Sequence, residues 1–325
     1  MAESLINSIA RLRVIEKKLL TKDFAARLAA AETYGDCVRM LREAGFGAAY
    51  AGGGDELEGL IGAHLTETYA LVSELMPARL AYITDVFRMR HDLTNIKLLY
   101  KTRLLGGELS ANALDPGGIY DGAELSAAVK KGDYSMLPRK LSKTLEELDV
   151  LTYKNPDARL VSEKLDSACV EYGLGLGNAF VRNYFSALAD FTNLIALTRG
   201  AGFVPCGEYG IETLEAVRKA LAESPERIPG ILKTPFETSP LKEAAREGFE
   251  SYLKTRSASA LERARDEYLV SLAAKGRGDI DSPAPIVGFM LAREREAEVV
   301  RLILTVKRSG IPMKAVDERS LALYG

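Results

Sequence analysis

Histidine is nearly missing from this sequence. His64 and His91 are the only two among 325 residues, and they stand too far apart to suggest paired metal ligands. Phosphohydrolases that carry a His-Asp dipeptide, as at His91-Asp92, need several further histidines that this chain cannot supply. Cysteine is scarce as well: Cys37, Cys169 and Cys206 are scattered, odd in number and form no C-x-x-C pair. That excludes a disulfide framework, fits a reducing compartment, and leaves each thiol the expected role of a small buried apolar group. No surplus of charge exists either. The 43 basic and 45 acidic residues give a formal net charge of −2, so there is no global field for nucleic acid or an anionic membrane, and only a local patch could supply one.

Long apolar runs are absent too. No window approaches about 20 consecutive apolar residues, so no spanning helix is expected. The opening "MAESLINSIARLRVIEKKLL" spreads its charges from Glu3 onward and lacks a signal-peptide apolar region. The chain also lacks a G-x-x-x-x-G-K-[ST] loop, a G-x-S-x-G elbow and a D-D-x-x-D cluster, and with them the common signatures of nucleotide hydrolases, serine hydrolases and helical prenyl-transferring enzymes. The glycines of "YGLGLGNAF" fail the dinucleotide spacing and follow a helical pattern rather than a strand, so they read as a turn between helices. No catalytic site, cofactor site or metal site is expected.

What remains is helical periodicity. Leu5, Ile9, Leu12, Ile15 and Leu19 fall at steps of three and four, and Thr21 is a candidate N-cap for a short helix holding Phe24 and Leu28. A long pattern from Asp55 to Leu105 breaks at Pro77 and stops at Gly106-Gly107. Another runs toward Gly310 and Pro312, with Asp281 and Ser282 as capping candidates and Pro283 in the first turn. The β-branched run "DVLTY" near 149–153 finds no partner of matching alternation, so the fold class is all-α.

The helix that stops at Gly106 is repeated downstream. Tyr82, Phe87, Asp92, Asn95, Ile96, Leu99 and Lys101 recur at one constant offset as Phe180, Phe185, Asp190, Asn193, Leu194, Leu197 and Arg199. A third copy follows with Ile286, Leu291, Glu296, Val300, Ile303 and Thr305; it keeps the acid and loses the Asn. His91 becomes Ala189 in the second copy, so the acid and amide recur without the base that acid–base chemistry would need. Asp92, Asn95, Asp190, Asn193 and Glu296 are therefore expected to be structural locks, buried and hydrogen-bonded between elements. The repeats divide the chain into three helical units, 1–107, 108–206 and 207–325, each burying a face against the next.

The basic residues do not follow the repeat. Arg90, Lys97 and Lys101 share one face of the first long helix; their counterparts are Leu188, Ile195 and Arg199, then Glu294, Arg301 and Thr305. Solvated faces with one buried copy would account for this. A pseudo-symmetric body gripping an asymmetric partner would account for it too, with Arg90, Lys97, Lys101 and Arg301 as candidate partner-binding residues.

The order "ARLRVIEKKLLTKDF", "CVRMLREAGFGAAY", "VFRMRHDLTNIKLLYKTRLLGG" and "REREAEVVRLILTVKRSGIP" resembles the C-type subunit of prokaryotic V-type (archaeal-type) ATPase/ATP synthase, related to the eukaryotic d-type one. The resemblance implies three similar helical domains in a funnel around a pseudo-threefold axis. It also implies a non-catalytic central-rotor part with no cofactor, peripheral on the cytoplasmic face of the membrane. Its partners would be the D and F components of the central shaft and the proteolipid ring of c/K/L type, and it would couple ATP hydrolysis or synthesis to H+ or Na+ transport. The residues alone leave two alternatives open: a helical-repeat scaffold unrelated to rotary motors, and an α-helical enzyme using His91 and Asp92.

Overall fold

The computed structural model describes residues 2–109, 113–233, 239–312 and 321–324. Every regular element among them is helical, and none is a strand. The chain divides into two compact units, residues 82–210 and residues 1–81 with 211–325.

The unit of residues 82–210 is built on α5 (Ala81–Leu104), α6 (Gly122–Lys131), α7 (Arg139–Thr152), α8 (Ala158–Leu174) and α9 (Ala179–Arg199). On α5, Met89, Leu93, Ile96 and Tyr100 fall at helical spacing and share one core with Leu125 and Val129 of α6, Leu141, Leu145 and Leu148 of α7, and Val161 and Leu165 of α8. Fully burying one such leucine is worth about 1.5–3 kcal/mol, so truncating Leu145 to alanine would open the middle of this core. The helices start where side chains can accept orphan amides: Asp121, Asp157 and Asn178 cap α6, α8 and α9. Asn178 ends the glycine-rich stretch, which is a turn between two helices. The run at 149–153 lies in the last turn of α7 and just beyond it. At the start of α5 and α9, Phe87 meets Tyr184 edge-on at 5.0 Å between centroids and Phe185 at 5.5 Å.

The other unit gathers α1 (Ala2–Ile15), α2 (Lys22–Ala30), α3 (Tyr34–Glu43) and α4 (Glu56–Leu75) with α10 (Ile211–Glu223), α11 (Ile228–Leu232), α12 (Pro240–Thr255), α13 (Ser259–Gly276) and α14 (Ala284–Arg308). α14 is its axis. It packs on α4, α13, α2, α3 and α1, and is buried over most of its length. Thr21 caps α2 by accepting from the Phe24 amide at 3.1 Å. The Asp55-to-Leu105 pattern resolves into α4, a break at Pro77 with one 3-10 turn, and α5. The start of α14 differs from expectation. Ser282 Oγ accepts from the Ala284 amide at 3.2 Å, whereas Asp281 turns away and donates its own amide to Asp279. The N-cap is Pro283 with no side-chain cap, because Pro285 at the second helical position has no N–H to satisfy.

Candidate functional site

α5 carries Asp92 and Asn95 one turn apart, both buried against the loop that leads to α6. Asp92 Oδ2 accepts from the Ile119 amide at 2.8 Å and Oδ1 from the Tyr120 amide at 3.3 Å. Asn95 closes both sides of a single residue, accepting from the Asp115 amide at 2.8 Å and donating to the Asp115 carbonyl at 2.9 Å. α9 repeats the arrangement atom for atom. Asp190 accepts from the Glu208 and Tyr209 amides at 2.7 and 3.1 Å, and Asn193 pairs with both polar atoms of the Val204 backbone at 2.8 and 3.2 Å.

α14 keeps the acid and changes its surroundings. Glu296 Oε1 accepts from the Leu20 amide at 2.5 Å, while Oε2 accepts from Arg293 Nη1 at 3.0 Å and lies 3.5 Å from His64 Nε2. In all three places the amide held by the acid lies just before a helix: Tyr120 ahead of the α6 cap, Tyr209 ahead of α10, and Leu20 ahead of the α2 cap. The first two acids grip chain that follows them. The third grips chain near the beginning of the sequence.

Two glycines make the close approach possible, and the sequence reading did not single them out. A Cβ on Gly118 would stand 2.0 Å from Asp92 Oδ1; one on Gly207 would stand 2.2 Å from the Ser186 carbonyl and 2.6 Å from Asp190 Oδ2. The signal existed as Gly118-Ile119-Tyr120 and Gly207-Glu208-Tyr209, the same Gly-x-Tyr after each acid.

Burial dominates the electrostatics. It pushes the carboxyl of Asp92 up to about 6 against the pull of its two peptide donors, and those of Asp190 and Glu296 up to about 7. His64 stacks on Phe46 at 3.9 Å between centroids, donates from Nε2 to the Arg293 carbonyl at 3.0 Å, and is lowered to about 3 by burial and by Arg293. His91 Nδ1 lies 2.9 Å from Asp115 Oδ2, while the Asp92 carboxylate accepts from the Ile119 and Tyr120 amides. The dipeptide that suggested an acid–base pair thus splits between two partners. Burial raises the thiols of Cys37, Cys169 and Cys206, which makes each a poor nucleophile. Among the described residues no group of three or more His, Cys, Asp or Glu side chains is placed to hold a metal, and no helix is long and apolar enough to cross a membrane.

Most of the basic candidates are engaged within their own unit. The Arg90 guanidinium lies over the Phe87 and Tyr184 rings at 5.7 and 5.6 Å and donates to the Phe87 carbonyl at 3.0 Å. Lys97 pairs with Asp166, and Arg301 holds both oxygens of Glu58 at 3.3 and 2.9 Å. Lys101 is half-buried near the end of α5. In the second copy Ile195, the counterpart of Lys97, is buried.

Three long helices, each fastening a neighbouring loop with a buried acid, define an all-α protein organised around helix-to-backbone clasps. The chain belongs to the ATP synthase (C/AC39) subunit family, whose model matches residues 8–319. It is similar to the C-type subunit of the A-type ATP synthase of Methanothermobacter thermautotrophicus, with 26% identity over 295 residues that cover 81% of this chain and 74% of that protein.

Proposed function

We propose that the chain is the non-catalytic rotor adaptor of a rotary A/V-type ATPase/ATP synthase. It joins the D and F components of the central shaft to the membrane proteolipid ring, sits peripherally on the cytoplasmic face, and passes torque between ATP chemistry and H+ or Na+ movement. The observation that carries this reading, beside family membership, is the recurrence of one acid clasp on α5, α9 and α14. In the proposed units 1–107, 108–206 and 207–325, Asp92, Asn95, Asp190 and Asn193 lock α5 and α9 to the chain that leads into the next short helix, and Glu296 locks α14 to the approach of α2. The third lock reaches back to Leu20, near the beginning of the sequence. Such a body resists bending because a buried, satisfied polar link permits one register only.

Tagged chain captured from its native membranes, with the bound proteins identified by mass, should return shaft and proteolipid components together. Capture of neither would sink the reading. Of the basic candidates, Lys101 is the one without a partner among the described residues, and reversing it should weaken shaft or ring binding most at low salt.

A further inference from the structure

The clasps of α5 and α9 share their acid and their amide, so each serves as a comparison for the other. Two things set the first apart. Arg88 donates to the Gly117 carbonyl at 3.2 Å and to the Gly118 carbonyl, where α9 carries Ser186; its guanidinium stays charged at every pH of interest. The second difference can respond to protons. His91 Nδ1 lies 2.9 Å from Asp115 Oδ2, and Asp115 Oδ1 accepts from the Gly117 amide at 2.8 Å. In the α9 clasp the corresponding places hold Ala189 and Val204, both buried and neither able to titrate.

The imidazole acts on the residue that the clasp holds, since Asn95 grips Asp115 by both polar atoms of its backbone. Gly117 lies against the ring: a Cβ there would stand 2.8 Å from its Cγ and Nδ1. The charged groups that face the ring are Asp115 from the loop, with Asp92 and Arg88 from its own helix. Beyond Asp92 lies Tyr120, whose hydroxyl is pushed up by burial and by Asp92 and stays neutral.

Histidine is the side chain whose charge ordinarily changes between pH 5 and 8. A charged imidazole gives Asp115 a charge-assisted hydrogen bond. A neutral one gives an ordinary bond from Nδ1, or none in the tautomer that keeps its proton on Nε2. The two side chains are 19% and 27% exposed, so solvent protons reach the pair. His64 has no such access and holds no proton until about pH 3. Asp92 and Asp190, raised by burial to about 6 and about 7, give both clasps a response of one kind; His91 gives the first clasp another.

We propose that His91 and Asp115 form a pH-sensitive latch on the loop of residues 113–120. The loop is held fast to α5 while His91 is charged, and it loosens as the imidazole loses its proton with rising pH. The α9 loop lacks this response. The latch stands on the geometry of one loop and is the same whether or not the chain works in a rotary motor.

The test is hydrogen–deuterium exchange of the full chain at pH 5.5 and 8, comparing the Asp115, Ile119 and Tyr120 amides with those of Val204, Glu208 and Tyr209. The ratio of protection between the two loops cancels the direct effect of pH on exchange. In wild type that ratio should fall about fivefold from pH 5.5 to 8, the difference between a charge-assisted and an ordinary hydrogen bond. His91→Ala, which copies α9, and Asp115→Asn, which keeps the acceptor for the Gly117 amide, should each hold it nearly steady. Thermal melts at pH 5.5 check that both variants fold. With two histidines in the chain, the His91 ring signal is followed by NMR through the same range. A wild-type ratio that does not move would overturn the proposal, as would variants that keep the wild-type fall or a ring signal that does not titrate between pH 5.5 and 8. Should a variant fail to fold, the wild-type ratio and ring titration still decide. Recovery of shaft and proteolipid components from native membranes is free to succeed in every case, so the two readings fall separately.

Discussion

Asp190 is pulled two ways. Two peptide amides favour its charged form and burial opposes it, and burial prevails. Truncating Asp190 or Asp92 to alanine should cost about 1–3 kcal/mol in urea unfolding, because two amides lose their acceptors. The raised acids also set a pH dependence. A folded carboxyl that titrates near 6 or 7 stabilises the protein below its unfolded value of about 4, and that contribution is lost as pH rises through the folded value. His64 acts in the other direction, since the unfolded chain binds its proton below about 6.5 and the folded chain refuses it until about 3. Three acids against one histidine should raise the melting temperature as pH falls from about 8 to about 5. Asp190→Asn should flatten that slope; an unchanged slope would show that Asp190 does not titrate in this range. Gly207→Ala should lower stability more than Gly118→Ala, because its Cβ meets a backbone oxygen as well as the carboxylate.

At the scale of elements, what could be read in advance was what side chains repeat. The acids and amides of α5 and α9 stood out because both copies carry them at the same spacing. Their partners did not, because peptide amides are common to every residue and leave no mark in a sequence, and the loops that bring Gly118 and Gly207 into place differ in length. A helix face is likewise visible while its neighbours are not. Arg90 and Lys97 share a face with Lys101, yet one lies on aromatic rings and the other meets Asp166 on α8. Lys97→Glu should therefore lower the melting temperature by setting two carboxylates together, whereas Lys101→Glu should leave it nearly unchanged. Equal melts for both would mean that the Lys97–Asp166 pair contributes nothing. Arg256 ends α12 with φ of 59°, the one left-handed non-glycine among the described residues. Arg256→Gly removes the steric cost and adds some chain entropy, and should raise stability by about 0.5 kcal/mol in thermal unfolding.

For the molecule as a whole, the three long helices share a lock but not an environment: α14 is buried over most of its length, whereas α9 and still more α5 keep exposed and half-exposed stretches. The two compact units also differ in how they use the chain. Residues 82–210 are continuous, so their clasps join groups a few dozen residues apart at most. The clasp of Glu296 on Leu20 joins residues separated by 276 positions. During synthesis the continuous unit has all its partners as soon as Tyr209 is available, while Leu20 must wait until α14 has been made. Through that interval the apolar faces of α1 and α2 lack the helix that covers them, so the early part of the nascent chain is where a chaperone at the ribosome would find its binding surface.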